Sequence, residues 1–222
     1  MGLQLTIWSA LGLMEPELVR RREILAEFRA DTAAGRVRRA VFQKAMEETK
    51  YEHHGLGAEM NQQYCDSSAA VFLDDEEAGP PAYETYDDRM LYYKPSTYPG
   101  CRLPHAWLNK ATPTKPTSTQ DLAGKGAFAI LTGIGGKDVW TRAADAVSRQ
   151  MNVKIGVASI GWRQDFEDPF FDWQHVKDVE DNGAILVRPD RIVAWRCKEL
   201  AGVEAEMSEK LLRVMRRVLG FD

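Results

Sequence analysis

A glycine-rich turn is the first candidate for chemistry in this chain. Gly133-Ile134-Gly135-Gly136 lies between a predicted strand and a predicted helix, where a dinucleotide-binding turn would hold phosphate. The G-x-G-x-x-G pattern needs a third glycine for close helix–strand packing, but Asp138 stands there and would repel a pyrophosphate. The next strand runs into Ser159-Ile160-Gly161-Trp162, without the acid that would bind ribose. The pattern therefore favours a structural turn and predicts no cofactor-binding residue.

Thiol redox chemistry is the second candidate. A thioredoxin-type site places Cys-x-x-Cys after the first strand, at a helix N-terminus whose dipole lowers the thiol pKa. Here that place holds the same glycine-rich turn, which has no sulfur. The three cysteines, Cys65, Cys101 and Cys197, are too sparse for a disulfide framework, and their spacing predicts no zinc site. We expect reduced thiols in a cytoplasm, with Cys197 a buried structural thiol.

The four histidines are the third candidate. His53 and His54 are adjacent, so their side chains diverge on a helix and make a poor metal pair. His105 lies in a loop-rich region beside Arg102, and His175 lies on a predicted short helix. None has a nucleophile or carboxylate partner at motif spacing, so the sequence predicts no catalytic histidine and no metal ligand.

Aromatic residues with interspersed cations occur in residues 92–95 and 103–108, a composition that could stack single-stranded nucleic acid. The prolines and acidic neighbours of this run favour a rigid loop packed on a domain core. The whole chain has 29 lysines and arginines against 33 acidic residues, a formal charge of −4. Both observations argue against a nucleic-acid partner.

The composition is that of a globular domain. The 222 residues are 44% hydrophobic and 28% charged, which excludes a disordered or fibrous chain. No apolar run approaches the ~18 residues of a membrane span, and the N-terminus has no basic region or cleavage site typical of a signal peptide.

Residues 1–64 are predicted to be helical. Pro16 is expected as an early helical residue, followed by an apolar stripe that includes Leu18, Leu25 and Phe28. A second helix is expected from about residue 33 to residue 50. Its predicted apolar face consists of Val37, Val41, Ala45 and Met46. The arginines on the other faces are expected to be solvated: Arg20, Arg21, Arg22, Arg36, Arg38 and Arg39.

Residues 65–125 are rich in proline, which excludes a continuous helix. Two short strands are expected, at residues 69–73 and at about 103–108. The tyrosines of this region indicate an ordered loop layer packed on another element.

Residues 126–222 carry regular periodicity. Strands are predicted at 127–132, 154–160, 184–188 and 191–197, and helices around Trp140–Met151, from Asp172 (a candidate N-cap) to about Asp181, and from about Val203 to Leu219. The order is β-α-β, a connecting helix, then β-β-α, with a parallel first pair. This α/β order is that of a thioredoxin-like domain.

Several segments together resemble the C-terminal third of class A FAD-dependent aromatic hydroxylases of the 2,4-dichlorophenol 6-monooxygenase type. The segments are MNQQY, YYKPSTYPGCRLPHAWLN, STQDLAGKGAFAILTGIGG, Val187–Asp190 and Val193–Arg196. They include a Pro-Gly-x-Arg-x-Pro-His-x-Trp-Leu pattern from Pro99 to Leu108, and Asp-Leu-x-Gly-x-Gly from Asp121 to Gly126. Ala10-Leu11-Gly12-Leu13 resembles the helical tail of the family's flavin domain.

The resemblance implies a parent reaction in which FAD and NAD(P)H hydroxylate a phenol. This chain has neither flavin motif of the family, so we expect it to bind no cofactor alone and to have no catalytic residue. In the family the last domain lacks redox cysteines and is associated with packing and subunit contacts. A fragment, a split-gene subunit or a stand-alone descendant would each fit, and the start in what would be mid-domain favours the first two.

We therefore expect two parts. Residues 1–64 resemble the end of the flavin and substrate domains, and residues 65–222 form the thioredoxin-like domain with its lead-in at 65–125. The expected partners are a flavin-binding domain or subunit and a second copy of the chain. Arg102 and His105 are the candidate inter-domain contacts, against the alternative of a pair that only stabilises its loop. The rival functions are a stand-alone, non-catalytic thioredoxin-like assembly or binding protein and, against the cysteine evidence, a thiol oxidoreductase or glutathione-binding protein.

Overall fold

The structure is a computed structural model that describes residues 2–64, 71–74, 77, 79–112, 115–202 and 204–221. It contains two compact units. Unit 1 comprises residues 1–59 and 85–93, and unit 2 comprises residues 60–84 and 94–222. None of the described helices is long and apolar enough to cross a bilayer.

Unit 1 is helical. Its elements are α1 (Leu3–Ala10), α2 (Leu18–Arg29), α3 (Ala33–Glu48), α4 (Lys50–His53) and α6 (Tyr86–Leu91), while α5 (Leu56–Met60) runs to the start of unit 2. Helix α3 packs against α1 and α2. Thr32 caps α3 by accepting a hydrogen bond from the Gly35 amide at 3.0 Å. A Cβ at Gly35 would lie 2.5 Å from the Glu27 carbonyl oxygen, so only glycine allows α2 and α3 to approach this closely.

Two details of unit 1 differ from the sequence prediction. Pro16 lies before α2, which begins at Leu18 with Glu17 as the N-cap residue. On α3, Ala45 is buried as expected, but Val37, Val41 and Met46 are exposed. The periodicity marked an apolar face, and within unit 1 most of that face is not covered.

A four-stranded mixed sheet forms the centre of unit 2. Its elements in chain order are β3 (Phe128–Thr132), α8 (Lys137–Met151), β4 (Ile155–Ser159), α9 (Asp172–Val176), β5 (Ala184–Val187), β6 (Val193–Cys197) and α10 (Glu204–Val218). The strand order is β4-β3-β5-β6. Strands β3 and β4 are parallel, as their helical crossover predicts, and the other two pairs are antiparallel. The expectation of an α/β fold is therefore confirmed.

Alternation along the strands gives the sheet two apolar faces. Ile130 and Leu186 face a core built with α8 and α10, where Trp140 and Trp195 meet edge to face with ring centroids 5.8 Å apart. Leu131 and Ile185 belong to the second core, which includes Trp173 of α9 and the loop residues Leu103, Ala106 and Leu108. The expected loop layer is thus packed on the sheet.

The lead-in to the sheet has less regular structure than predicted. Strand β1 is only Trp107–Leu108, paired with β2 (Thr117–Ser118), after which α7 (Thr119–Leu122) follows. Of the strand predicted at 69–73, residues 69 and 70 lie outside the described chain. Residues 71–73 are not a strand, although the Phe72 amide donates to the Ala194 carbonyl at 2.7 Å. Prolines and irregular turns keep backbone pairing in this region to short stretches.

Helix α9 is shorter than the prediction that it reaches Asp181. Asp178 has a left-handed backbone conformation (φ 47°), which ends the helix, and Thr97 Oγ1 donates to the Lys177 carbonyl at 2.7 Å. Asp172 is the first helical residue and not the N-cap, because Phe171 occupies that position.

Candidate functional site

The glycine-rich turn 133–136 is filled by the chain itself. A Cβ at Gly133 would lie 2.5 Å from the Asp181 carbonyl oxygen, and a Cβ at Gly136 would lie 2.1 Å from Thr132 Oγ1. Trp140 Nε1 donates to the Asn182 carbonyl at 3.0 Å, which holds the segment after α9 against the turn. The glycines therefore allow close backbone packing. The carbonyl oxygens of Asp181 and Asn182 at the turn would repel a phosphate.

An ion-pair cluster lies beside this turn, at the carboxyl ends of β3 and β4. Lys137, the first residue of α8, pairs with Asp165. The other Asp165 oxygen accepts from the Ser159 amide at 3.0 Å and from Ser159 Oγ at 2.9 Å. Burial raises the pKa of Asp165, but these hydrogen bonds and the Lys137 charge lower it by more. Asp165 is thus an ionised anchor at neutral pH and is not suited to act as a general acid.

The loop that Asp165 anchors presents aromatic side chains to solvent. Trp162 is 70% exposed, and Phe170 and Phe171 are exposed to a similar degree. Paired backbone hydrogen bonds between Asn109 and Glu167, at 2.9 and 2.7 Å, tie this loop to the segment after β1. Exposed aromatic rings on a held loop are a feature of surfaces that bind other proteins.

Arg102 and His105 lie on the same segment but do not form a hydrogen-bonded pair with each other in the described structure. His105 Nδ1 lies 2.7 Å from Ser118 Oγ, and its ring meets Trp107 edge to face at 4.6 Å. Arg102 pairs through its backbone with Ile192, while its Nε is buried without an acceptor among the described residues. His105 therefore supports its own loop, and Arg102 carries a donor that nothing in the described chain satisfies.

A buried charge cluster ties the lead-in to the sheet. The Arg196 guanidinium on β6 bonds both oxygens of Glu77, with Nε 2.9 Å from Oε1, and its Nη1 lies 2.6 Å from Asp178. Burial lowers the pKa of Arg196, but the hydrogen bond and charge of Glu77, with Asp178, raise it above its ordinary value. A guanidinium saturated in this way is structural, because it has little capacity left for a ligand.

The remaining candidates are the cysteines and the other histidines. Cys197 is buried, and its Sγ donates to the Glu199 carbonyl at 3.1 Å, while Cys101 is half-buried. Cys65 lies outside the described residues. His53 lies in α4, and His54 follows that helix. His175 lies on α9. Within the described ranges, no group of three histidine, cysteine or acidic residues could hold a metal.

Sequence reasoning missed Glu77, Asp165 and the role of Arg196. One signal was present: an arginine within the apolar strand Val-Ala-Trp-Arg-Cys must be buried, and a buried arginine requires an acidic partner. The identity of that partner was not readable, because Glu77 is 119 residues away.

Solved flavin-dependent monooxygenases share this mixed α/β architecture. The structure of the flavin-dependent monooxygenase PieE in complex with FAD and substrate matches 99% of this chain and 36% of its own, with a TM-score of 0.78 and 34% identity. A ternary complex of aklavinone-11 hydroxylase with FAD and aklavinone matches 72% of this chain and 26% of its own, with a TM-score of 0.55 and 33% identity.

Residues 96–221 match the family described as aromatic-ring hydroxylase, C-terminal, and the chain belongs to that family. It is 38% identical to 2,4-dichlorophenol 6-monooxygenase of Cupriavidus pinatubonensis, over 96% of this chain and 34% of the relative. It is 36% identical to phenol 2-monooxygenase of a Pseudomonas species, over 87% of this chain and 31% of the relative. The chain thus spans about a third of the length of these relatives, and the resemblance read from its motifs is confirmed.

Proposed function

We propose that this chain serves as the C-terminal packing and assembly module of an FAD-dependent monooxygenase that hydroxylates a phenol or a related aromatic ring. The observation that carries the proposal is the match to phenol-hydroxylating relatives over nearly the whole chain, combined with coverage of only a third of each relative. The activity, the aromatic substrate and the use of NAD(P)H are assigned to the complete assembly.

The glycine-rich turn 133–136 does not fit the phosphates of FAD. The one turn with a nucleotide-binding pattern is packed against the Asp181 and Asn182 carbonyls, and a Cβ there would already collide. We therefore assign the flavin to a flavin-binding domain or subunit on the same chain or a separate one. No catalytic step is assigned to a residue of this chain.

Unit 2 is proposed to be a thioredoxin-like domain that has lost thiol chemistry. The strand order β4-β3-β5-β6, with a parallel first pair, supports this assignment. At the place of a redox Cys-x-x-Cys the domain has Gly133 to Gly136. We propose that residues 1–64 correspond to the end of the flavin and substrate domains and that residues 65–222 form the thioredoxin-like part. Free thiols fit a cytoplasmic setting.

We propose that Arg102 and His105 lie at the contact with the flavin-bearing part. The half-buried Arg102 side chain supports this role for Arg102, because a guanidinium that is still partly exposed can donate to an oxygen of a partner. His105 supports the contact by holding the segment that carries Arg102 against Ser118. Self-association of the chain is a further part of the proposal, since its exposed apolar residues favour assembly.

The experiment that tests the function is a segment exchange. The matching third of 2,4-dichlorophenol 6-monooxygenase from Cupriavidus pinatubonensis is replaced by this whole chain, and FAD content and 2,4-dichlorophenol-dependent NAD(P)H oxidation are measured. We expect stoichiometric FAD and a kcat within about tenfold of the relative's, a loss of no more than ~1.4 kcal/mol in transition-state stabilisation. An exchanged enzyme that folds without flavin would overturn the proposal. So would a flavin absorbance band in this chain purified alone.

A further inference from the structure

The two edges of the sheet in unit 2 differ in how they are covered. At β6, the Phe72 amide donates to the Ala194 carbonyl at 2.7 Å, and the Gly100 amide donates to the Val193 carbonyl at 2.8 Å. At β4, no strand among the described residues pairs on the side away from β3. Because an uncovered edge presents backbone donors and acceptors to an approaching strand, β4 is the edge at which this sheet can be extended.

The register of β4 on β3 shows which backbone groups face outward. The Phe128 amide donates to the Lys154 carbonyl at 3.0 Å, which fixes the phase of the parallel ladder. Backbone groups of successive strand residues point in alternate directions within the sheet. The amides and carbonyls of Ile155, Val157 and Ser159 therefore point away from β3.

The loop after β4 uses the outward groups of Ser159. Its amide donates to Asp165 Oδ2 at 3.0 Å, and its carbonyl accepts from the Phe166 amide at 3.1 Å. The outward groups of Ile155 and Val157 have no backbone partner among the described residues. The open part of the edge is thus short, and the residue at its centre is Gly156.

These open groups are complementary to a second copy of the same strand. If an antiparallel copy met β4 about a twofold axis at Gly156, Ile155 of each copy would lie opposite Val157 of the other. Each such pair would exchange both of its backbone hydrogen bonds. Gly156 would then face Gly156 of the other copy at a non-hydrogen-bonded position, where Cα atoms approach to about 4.5 Å. The open groups of each copy would therefore be satisfied by the same groups of the other.

The residues of β4 fit this arrangement. Gly156 is exposed, and the nearest atom to an added Cβ would be the Phe128 oxygen at 3.9 Å, so packing within the chain does not require glycine there. A glycine inside a strand often marks the close approach of another backbone. The strand Ile155–Ser159 has no charged residue, proline or bulge to protect its edge. Lys154 would lie opposite Ala158 of the other copy, so like charges would not face each other.

We propose that the β4 edge joins two copies of this chain by antiparallel pairing centred on Gly156, which makes one continuous sheet across the dimer. The inference rests on the proposed function, because self-association is part of it. It adds the surface, the register and the chemistry of the contact. The paired segment is short, so the contact belongs with the small, weak protein interfaces, and we expect the dimer at about 100 μM chain.

The direct test is Gly156→Cys in the full chain. In the proposed register the introduced thiols lie within the Cα separation of about 4.4–6.8 Å that a disulfide spans. Oxidised glutathione should therefore produce a covalent dimer at least about tenfold faster than in Gly79→Cys. Gly79 is the matched control, because it is also exposed and an added Cβ would have nothing within 4 Å. The wild type measures the background from the native cysteines. Equal rates in the two variants would overturn the proposal.

Gly156→Lys tests the same contact without a covalent bond. It would set two like charges opposite each other at the closest approach of the strands, so light scattering should find this variant monomeric at about 100 μM. The wild type and the control Gly79→Lys should be dimers there. A monomeric wild type would overturn the proposal. So would dimers in both variants, which would place the contact elsewhere, or monomers in both, which would assign the effect to net charge.

The exchanged enzyme separates this proposal from the proposed function. Gly156→Lys should leave its FAD content unchanged, because the edge is assigned to a second copy and not to the flavin-bearing part. A loss of FAD in this variant alone would make the flavin-bearing part the occupant of the edge. If the unmodified exchanged enzyme holds no FAD, the proposed function fails, and the cross-linking of the free chain still decides the edge pairing. If it holds FAD and Gly156→Cys does not cross-link, only the edge pairing fails.

Discussion

Arg196 and Glu77 lie 119 residues apart in sequence and form a two-point ion pair within unit 2. Their side chains are only 2% and 3% exposed. Three residues before Glu77, Asp74 accepts a hydrogen bond from Trp195 Nε1 at 3.0 Å. Asp74 also forms an ion pair with Lys210 at 2.9 Å. The lead-in is thus tied to β6, the edge strand of the sheet, both by these charged contacts and by backbone hydrogen bonds such as the one from the Phe72 amide to the Ala194 carbonyl. This arrangement covers an edge that would otherwise be open to pairing with another chain.

Glu77→Ala should therefore be among the most destabilising single changes in this chain. Removing one partner of a buried ion pair leaves an uncompensated charge, so the free energy of unfolding in urea should fall by about 3 kcal/mol. Asp178 keeps part of the compensation. The control is Glu23→Ala, which breaks an exposed pair with Arg20 and should cost less than about 0.5 kcal/mol. Equal losses of unfolding free energy in the two variants would show that the buried Arg196 pair contributes no more than an exposed pair.

Periodicity was sufficient to predict the regular half of unit 2. Strand β4 and helix α10 lie within a residue or two of their predicted bounds, because each buries a face whose apolar repeat has one clear period. Helix α9 was predicted too long, since its end depends on the left-handed Asp178 and on a bond from Thr97, neither of which affects hydrophobic spacing.

The charged features could not be located from sequence. The Arg196 pair depends on a residue 119 positions away, and the Asp165 anchor depends on the place where the loop after β4 returns to Ser159. Likewise, the apolar face of α3 was predicted correctly as apolar, but periodicity cannot say whether unit 1 itself covers that face. Long-range pairing and partner contacts leave no periodic signal in one sequence.

The glycine-rich turn should tolerate little change at Gly136. A Cβ there would lie 2.1 Å from Thr132 Oγ1 and 2.9 Å from the Asn182 oxygen, so Gly136→Ala should lower stability by about 2 kcal/mol through overpacking. Gly156 on β4 is the matched control, because its nearest contact would be 3.9 Å away. Gly156→Ala should change the unfolding free energy by no more than about 0.5 kcal/mol. Equal tolerance at both positions would show that the turn is open.

Asp165 should make the stability of unit 2 depend on pH in the acid range. Its pKa lies below the ordinary 3.8, so its contribution is complete above that value and is lost as the pH falls through the lowered pKa. The stability difference between the wild type and Asp165→Asn should therefore be constant from neutral pH to about pH 5 and shrink below pH 4. Urea unfolding across this range measures it. A difference that grows on acidification would mean the pKa is raised.

Cys197 should be unreactive in the folded chain. Its thiol is buried and donates to the Glu199 carbonyl, whereas Cys101 is half-buried. Iodoacetamide followed by peptide mass analysis should modify Cys197 at least about tenfold more slowly than Cys101, with the difference lost in denaturant. The same experiment measures the rate at which Cys65 is modified. Rapid native modification of any cysteine with a depressed pKa would revive the thiol oxidoreductase alternative.

Variants of Arg102 and His105 should distinguish a contact with a partner from support of the loop that carries both residues. His105→Ala removes the 2.7 Å contact with Ser118 and the Trp107 ring contact, so it should lower the stability of the free chain by about 1 kcal/mol. Arg102→Met removes a buried Nε that has no acceptor in the described chain, so the free chain should lose less than about 0.5 kcal/mol. In the exchanged enzyme the order should reverse, because Arg102 would then lose a partner's oxygen worth about 1.5 kcal/mol or more. If Arg102→Met is as harmless there as in the free chain, Arg102 is not an inter-domain contact, and the flavin-bearing part must dock elsewhere.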